Sequence, residues 1–220
     1  MALTLHELPP SPNSIKIRLA LGLKKIACEL QTIDPTDPTR ASVVEVSGQP
    51  LAPVLVDSTS DGDRVVFDSF AIMRYLDANF REQGPRLYST DRDAIRAIED
   101  WEGYARNSLG EVIGMIFGQA FAPESDPAVI ARANVLLNER VARVEEALSQ
   151  SDYLCGDAPN AADLTAAPFL LYGTLDPNEF SAGAEGFASI QAFFANNLKL
   201  GEAPKTRAWI ARVMALDVAE

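Results

Sequence analysis

The segment 50–80 constrains the fold of this chain most, because it places two short strand patterns directly before an amphipathic helix. The apolar run 51–56 is entered through a proline, and residues 64–67 resume the strand pattern after a polar turn rich in Asp, Ser and Gly. From Ile72 onward, apolar residues recur every four positions, which is the spacing of one buried helix face. The segment therefore predicts a β-hairpin followed by a helix, with Ser69 as the N-cap.

The start of this helix has two possible roles. Asp68 and Ser69 can simply cap the helix, which is the plainer explanation. They can also offer N–H groups and a hydroxyl to a carboxylate, and a negative charge to an ammonium group. Pro53 donates no ladder hydrogen bond at the entry to its strand, so the neighbouring backbone stays available for another partner. The same pattern therefore suits a zwitterionic amino acid bound beside an extended peptide.

The other patterns of the first eighty residues complete a βαβαββα order. Residues 3–8 alternate between apolar and polar, 9–13 form a proline-rich turn, 14–23 have helical spacing and 28–34 form a second strand. The segment 36–46 is short and helical or irregular. This order predicts a parallel first pair of strands beside an antiparallel hairpin, covered by helices. That is a thioredoxin-like arrangement, of the α/β class.

Strand patterns end before residue 91, and the rest of the chain has helical spacing. The predicted helices are 94–117, 126–148, one that begins after Asn160, 189–197 and 205–216. Asn160 and Asp163 stand at capping-box spacing, which stabilises a helix start and does no chemistry. We therefore predict a thioredoxin-like domain over residues 1–83 and an all-helical domain over residues 88–220.

Composition excludes several classes of function. The net charge of −12 and the lack of a basic stripe make nucleic acid and anionic membrane surfaces poor partners. The sequence has no apolar run of 18 residues and its start lacks the pattern of a signal peptide, which predicts a cytoplasmic protein that does not enter a membrane.

The metal-ligating and nucleophilic residue types are sparse. His6 is the only histidine, and Cys28 and Cys155 lie far apart, which argues against a disulfide scaffold and against a metal site. A nucleophile activated by histidine is excluded except through His6, which we expect at a strand end. Both cysteines are expected to be buried, unreactive thiols.

Four segments, in their order and spacing, resemble the cytosolic glutathione transferase family over essentially the whole chain. They are residues 11–21, 51–55, 68–76 and 160–163. The resemblance implies a thioredoxin-like domain that binds glutathione and a helical domain that supplies most of the pocket for the second substrate.

The resemblance assigns the glutathione contacts residue by residue. Pro53 matches the family's cis-proline, which implies that the backbone of Ala52 faces the cysteinyl part of the tripeptide. Asp68 and Ser69 match the acidic-Ser pair that holds the γ-glutamyl end, although Asp68 is one methylene shorter than the Glu of many relatives. Arg40 lies where some classes place a basic residue for the glycyl carboxylate.

Ser11 matches the catalytic serine of the zeta-like and similar classes. A free thiol with a pKa of about 8.5 is only a few per cent ionised at neutral pH, so the thiolate needs stabilisation. The Ser11 hydroxyl can donate to it, and the start of the following helix adds positive potential. The alternative role of Ser11 is a turn residue between two prolines.

Asn13 replaces the cysteine of the zeta-like motif, position 11 carries no thiol for omega-like chemistry, and the first strand has no tyrosine. The chain therefore resembles a serine-type member of unassigned class.

The resemblance implies a transferase that uses glutathione as co-substrate, without a metal, and attacks an electrophilic carbon of a hydrophobic acceptor. Conjugation, as in detoxification, is the expected reaction, and glutathione-dependent ether cleavage or dehalogenation begins with the same step. Tyr104 and Ser108 are the expected acceptor-pocket residues, because they lie on the helix that borders the cleft in relatives.

Two further expectations follow from the resemblance. The family usually forms two-fold homodimers, through the helix that begins at Ser69 and the helix 94–117. The alternative function is a non-catalytic binding or regulatory module on the same fold. Retention of Ser11, Pro53, Asp68 and Ser69 together argues against that alternative.

Overall fold

The computed structural model describes residues 2–34, 37–180 and 185–219. They form two compact units, one made of residues up to Ser89 together with the C-terminal residues from Leu216, and the other of Thr90–Ala215. The last residues of the predicted helical domain 88–220 therefore pack with the first unit. Local sequence patterns could not indicate this, because it depends on contacts between distant parts of the chain.

The first unit has the predicted βαβαββα order. Its elements are β1 (Ala2–Glu7), α1 (Pro12–Lys24), β2 (Glu29–Thr32), α2 (Ala41–Ser47), β3 (Val54–Thr59), β4 (Gly62–Phe67) and α3 (Ser69–Asn79). Helix α1 begins earlier than the predicted residue 14, because a proline is well tolerated at the first helical position. Of the weakly marked segment 36–46, residue 36 lies outside the described residues and the second half forms the start of α2.

The four strands form one mixed sheet in the order β2-β1-β3-β4. Strands β1 and β2 are parallel and β3 and β4 form an antiparallel hairpin, as predicted. The structure adds that β1 pairs antiparallel with β3. Helices α1 and α3 pack against one another, and Leu5, Ile17 and Ile72 are among the fully buried side chains of this unit. Full burial of each such side chain contributes about 1.5–3 kcal/mol to the stability of this unit.

The second unit is helical. It contains α4 (Arg92–Tyr104), a π-helical turn (Ala105–Leu109), α5 (Gly110–Ala120), α6 (Pro127–Ala147), α7 (Ala161–Leu171), a 3-10 turn (Pro177–Glu179), α8 (Phe187–Asn197) and α9 (Pro204–Met214). The predicted single helix 94–117 is wrong in one respect, since the π-helical turn divides it. A turn with i→i+5 hydrogen bonds adds one residue without a polar or proline break, so the apolar spacing does not reveal it.

Helix α7 starts with the predicted capping box. The Asn160 side chain accepts a hydrogen bond from the Ala162 N–H, and Asp163 Oδ2 accepts one from the Asn160 N–H, each at 3.0 Å. Asp163 Oδ1 also accepts from the Leu154 N–H at 2.9 Å and from the Trp209 indole N–H at 2.8 Å. The buried carboxylate therefore joins α7 to α9 as well as capping α7.

Within the described ranges, no helix has both the length and the apolar composition that crossing a membrane requires.

Candidate active site

The candidate site lies at the edge of the sheet where β1 and β4 end and β3 begins. His6 is paired with Val54 of β3, and Val54 is paired with Phe67 of β4. Paired strands lie about 4.8 Å apart, so the segments that continue from these three residues leave the sheet side by side. The turn before Ser11, the residues before Val54 and Asp68 are therefore neighbouring segments, as the predicted site requires.

Ser11 immediately precedes α1, and its hydroxyl is not used to cap that helix. Its carbonyl accepts hydrogen bonds from the N–H groups of Ser14 and Ile15, and its own N–H donates to the Leu8 carbonyl, all at 2.9 Å. The backbone groups of Ser11 thus make the hydrogen bonds that stabilise the turn. The half-buried hydroxyl stands at the positive end of a 13-residue helix.

The N-cap of α3 is Asp68, which corrects the prediction that Ser69 caps this helix. Asp68 Oδ1 accepts from the N–H groups of Phe70 at 2.9 Å and Ala71 at 3.2 Å. The reason is geometric, since an N-cap side chain reaches the second and third N–H groups of its helix. Asp68 has φ 69° and ψ 121°, a conformation that costs an L-residue about 1–3 kcal/mol and is concentrated at binding and catalytic sites.

Because Asp68 caps this helix, fewer N–H groups are available for the anion that the sequence analysis placed at the helix start. The N–H groups of Phe70 and Ala71 are bound to Asp68 and are not available to a ligand. Ser69 is 6% exposed, and its N–H is the group of this helix start that the Asp68 carboxylate does not hold.

A side chain that the sequence analysis did not assign to the site joins the two helix starts. The Ser69 hydroxyl donates to Asn13 Oδ1 at 3.2 Å, although the two residues are 56 positions apart in the chain. Asn13 lies in the first turn of α1, two residues after Ser11. The only sequence signal was a polar residue in that first turn, and nothing local indicated its partner.

The peptide bond between Ala52 and Pro53 is cis, as the match to the family implied. Pairing of β3 begins at Val54, so Ala52 lies before the hydrogen-bonded ladder. The Ala52 side chain packs against a small apolar cluster formed by Ile33, Val43 and Val54. These contacts hold the bend at Ala52, whose backbone groups lie outside the hydrogen-bonded strands.

Arg40 precedes α2 and has a left-handed backbone conformation, with φ 54°. The loop before it is organised by Asp37, whose carboxylate accepts from the hydroxyl and N–H of Thr39 and from the N–H of Ala41. These bonds, led by that of the Thr39 hydroxyl, lower the pKa of Asp37. Arg40 Nη1 is buried and has no hydrogen-bond partner among the described residues. A buried guanidinium nitrogen in this state favours an anionic oxygen as its partner.

Tyr104 and Ser108 lie in the second unit, at the junction of α4 and the π-helical turn. The Tyr104 hydroxyl donates to the Arg140 carbonyl at 2.8 Å, and its ring lies 4.4 Å from the Arg143 guanidinium. Burial raises the pKa of Tyr104, although the Arg143 charge acts in the opposite direction. Ser108 contributes its carbonyl, which accepts from the Arg140 guanidinium. These contacts join α4 and the π-helical turn to α6. A role for either hydroxyl in acceptor binding stays a prediction.

Cys28 and Cys155 are partly exposed, which corrects the expectation that they are buried. Desolvation nevertheless raises the pKa of each thiol to about 12, so the reactive thiolate is scarce at neutral pH. His6 is buried near the end of β1, and burial lowers its pKa. Among the described residues, no group of His, Cys, Asp and Glu side chains is arranged to hold a metal ion.

Comparison with known proteins gives two family models that match the chain. The glutathione S-transferase N-terminal domain matches residues 5–84, and the glutathione S-transferase C-terminal domain matches residues 111–217.

Individual relatives agree with these models. The chain is 30% identical to glutathione S-transferase F10 of Arabidopsis thaliana over 179 residues, which are 78% of this chain and 81% of that protein. It is 26% identical to FtsZ-localized protein A of Caulobacter vibrioides over 203 residues, which are 86% of each protein. A solved glutathione transferase family member from Pseudomonas fluorescens pf-5, with two glutathione bound, has a TM-score of 0.71 at 17% identity and covers 98% of this chain and 92% of its own.

The raised thiol pKa values predict slow alkylation of both cysteines in the folded protein. At pH 8, a thiol with a pKa of about 12 has far less thiolate than a free thiol with a pKa of about 8.5. Labelling with iodoacetamide, followed by mass spectrometry, should be about 100-fold or more slower for the native chain than for the urea-unfolded chain. Native and unfolded rates within a few-fold of one another would show that the thiols are not desolvated.

Proposed function

The chain belongs to the cytosolic glutathione transferase family, and we propose that it is an enzyme that ionises the glutathione thiol for attack on a hydrophobic electrophile. The observation that carries the proposal is the Ser11 hydroxyl, which stands at the start of α1 without capping it. Its neighbours at the same sheet edge are the cis peptide bond of Pro53 and the start of α3. The glutathione bound in a solved relative of the same fold supports the choice of co-substrate.

In the proposed complex, each part of the tripeptide contacts one of the segments that lie side by side at this end of the sheet. The cysteinyl part lies along the Ala52 backbone, and the γ-glutamyl end meets Ser69 and the Asp68 carboxylate. The glycyl carboxylate pairs with Arg40, whose buried Nη1 has no partner among the described residues. This placement leaves the sulfur near Ser11.

Ser11 acts as a hydrogen-bond donor and no general base is required. The thiol proton passes to solvent, and the hydroxyl and the positive end of α1 stabilise the thiolate that remains. Each unit by which the thiol pKa falls corresponds to about 1.36 kcal/mol of thiolate stabilisation. The thiolate then forms a carbon–sulfur bond with the acceptor, and the leaving group departs with the electron pair of the broken bond.

Ser11→Ala tests the catalytic role directly. The variant should lower kcat about 10-fold or more and raise the pKa of the bound thiol, while the Kd for glutathione changes about 2-fold or less, because the hydroxyl acts on the thiolate. Turnover of a model electrophile and thiolate absorbance against pH are the measurements. Ser60→Ala, at an exposed turn, is the matched control. Unchanged turnover and thiol pKa in Ser11→Ala would remove the assigned role.

Arg40→Met tests the contact with the glycyl carboxylate. Calorimetric titration should show an increase of about 10-fold in the Kd for glutathione, or about 1.4 kcal/mol. The Kd for the glycyl ethyl ester of glutathione should change about 2-fold or less, because that ligand lacks the carboxylate. Arg81→Met removes the same charge from an exposed position of the first unit. Equal losses for both ligands would place Arg40 elsewhere than at the glycyl end.

The alternative of a non-catalytic binding or regulatory module has one observation in its favour. The chain is similar over 86% of its length to a protein whose name reports localisation with FtsZ. A module of that kind needs no thiolate, so it would show neither thiolate absorbance with glutathione nor turnover.

We also propose a two-fold homodimer through α3 and the α4–α5 segment. In support, β4 beside α3 exposes Val65 and Phe67 at 37% and 49%, and an edge strand with exposed apolar side chains favours a covering partner. Sedimentation velocity should show a species of about twice the 23.8 kDa chain mass. A monomer at all concentrations would contradict this.

A cytoplasmic location and a role in detoxification stay predictions.

A further inference from the structure

The buried guanidinium of Arg18, on α1, holds the turn that precedes Ser11. Arg18 Nη1 donates to the Pro9 carbonyl at 3.1 Å and to Glu7 Oε2 at 2.6 Å. Pro9 is part of the turn that ends at Ser11, where the Ser11 N–H donates to the Leu8 carbonyl. Because prolines have no N–H, the carbonyls of this turn are the main backbone groups through which other elements can hold it.

The guanidinium is itself held by the C-terminal segment. Its Nε and Nη2 donate to the two carboxylate oxygens of Asp217, each at 2.8 Å, across 199 residues of sequence. The Arg18, Glu7 and Asp217 side chains are at most 7% exposed. A bidentate pair of this kind fixes the plane of the guanidinium as well as its position.

The C-terminal segment makes a second contact with α1. A Cβ atom at Gly22 would lie 1.8 Å from the Leu216 carbonyl oxygen, so only glycine fits there. Gly22 and Arg18 are four residues apart and therefore lie on one face of the helix. The segment is docked against α1 at two successive turns.

We propose that Asp217 is a positioning residue for the transferase reaction, which acts through Arg18 and the Pro9 carbonyl to fix the turn that places the Ser11 hydroxyl. This inference rests on the proposed function. It assigns to the C-terminal segment an effect on thiolate stabilisation that is separate from its contribution to stability. Loss of one carboxylate oxygen would let the guanidinium rotate toward Glu7 and would loosen its bond to Pro9.

Asp217→Asn in the full chain is the test. The amide oxygen still accepts one hydrogen bond, but its NH₂ group faces an Arg18 donor and cannot accept the other. We expect kcat to fall about 3- to 10-fold and the pKa of bound glutathione to rise by about 0.5–1, with the KM for glutathione changed about 2-fold or less.

A matched control is Glu145→Gln in the second unit. Glu145 accepts from the Lys205 N–H and from the N–H and hydroxyl of Thr206, so it is also a carboxylate that joins distant segments. This variant should lower the melting temperature without changing the thiol pKa. If Asp217→Asn lowers the melting temperature but leaves kcat and the thiol pKa unchanged, Asp217 contributes only to stability. That result would overturn the proposal.

A double-mutant cycle separates this inference from the proposed function. In a Ser11→Ala background, Asp217→Asn should change kcat about 2-fold or less, because the group that it positions is absent. A full additive loss would mean that Asp217 acts elsewhere and would overturn the inference alone. No effect of Ser11→Ala by itself would instead refute the proposed function. Should Asp217→Asn fail to fold, Asp217→Glu serves in the same cycle, because it keeps the charge and displaces the guanidinium.

Discussion

The pairing of His6 with Val54 and of Val54 with Phe67 is the constraint on which the candidate site depends. It brings the end of β1, the start of β3 and the end of β4 to one edge of the sheet. Val54 and Leu55 of β3 point to opposite faces of the sheet and both are fully buried, so packing on both faces holds the strand in this pairing. The apolar residues of β3 therefore fix the register, and the register places the polar segments that follow.

At this edge, two helices begin close together and share their polar groups. Asp68 uses its carboxylate to cap α3, while Ser69 donates to Asn13 at the start of α1. The unfavourable backbone conformation of Asp68 is maintained by the two N–H groups that its side chain holds. Both helix starts are thus fixed before any ligand arrives, which reduces the entropy that binding must overcome.

The features that the sequence predicted are those with a local cause. Strand alternation and helical spacing are set by neighbouring residues, so the βαβαββα order and the helical second half could be derived. The capping box of Asn160 and Asp163 spans four positions and was equally accessible. The N-cap at Asp68 was assigned to Ser69 because both residue types cap well, and only the backbone geometry distinguishes them.

The features that the sequence did not reveal depend on contacts between distant residues. The bond between Ser69 and Asn13 and the pair of Arg18 and Asp217 each join parts of the chain that no pattern relates. Resemblance to the family supplied Ser11, Pro53 and Arg40 because motifs preserve order and residue type. It could not show that Arg40 has a buried nitrogen without a partner, since that depends on the packing around α2.

The π-helical turn of Ala105–Leu109 has a consequence for the geometry of the second unit. An α-helix advances by about 100° per residue, so one additional residue in the turn puts α4 and α5 out of phase by about that angle. The apolar stripe of α4 and that of α5 therefore face different directions although the axis continues. If this turn became α-helical at unchanged length, every side chain of α5 would rotate around the helix axis by more than a quarter of a circle, whereas deletion of one residue from the turn would leave their directions unchanged.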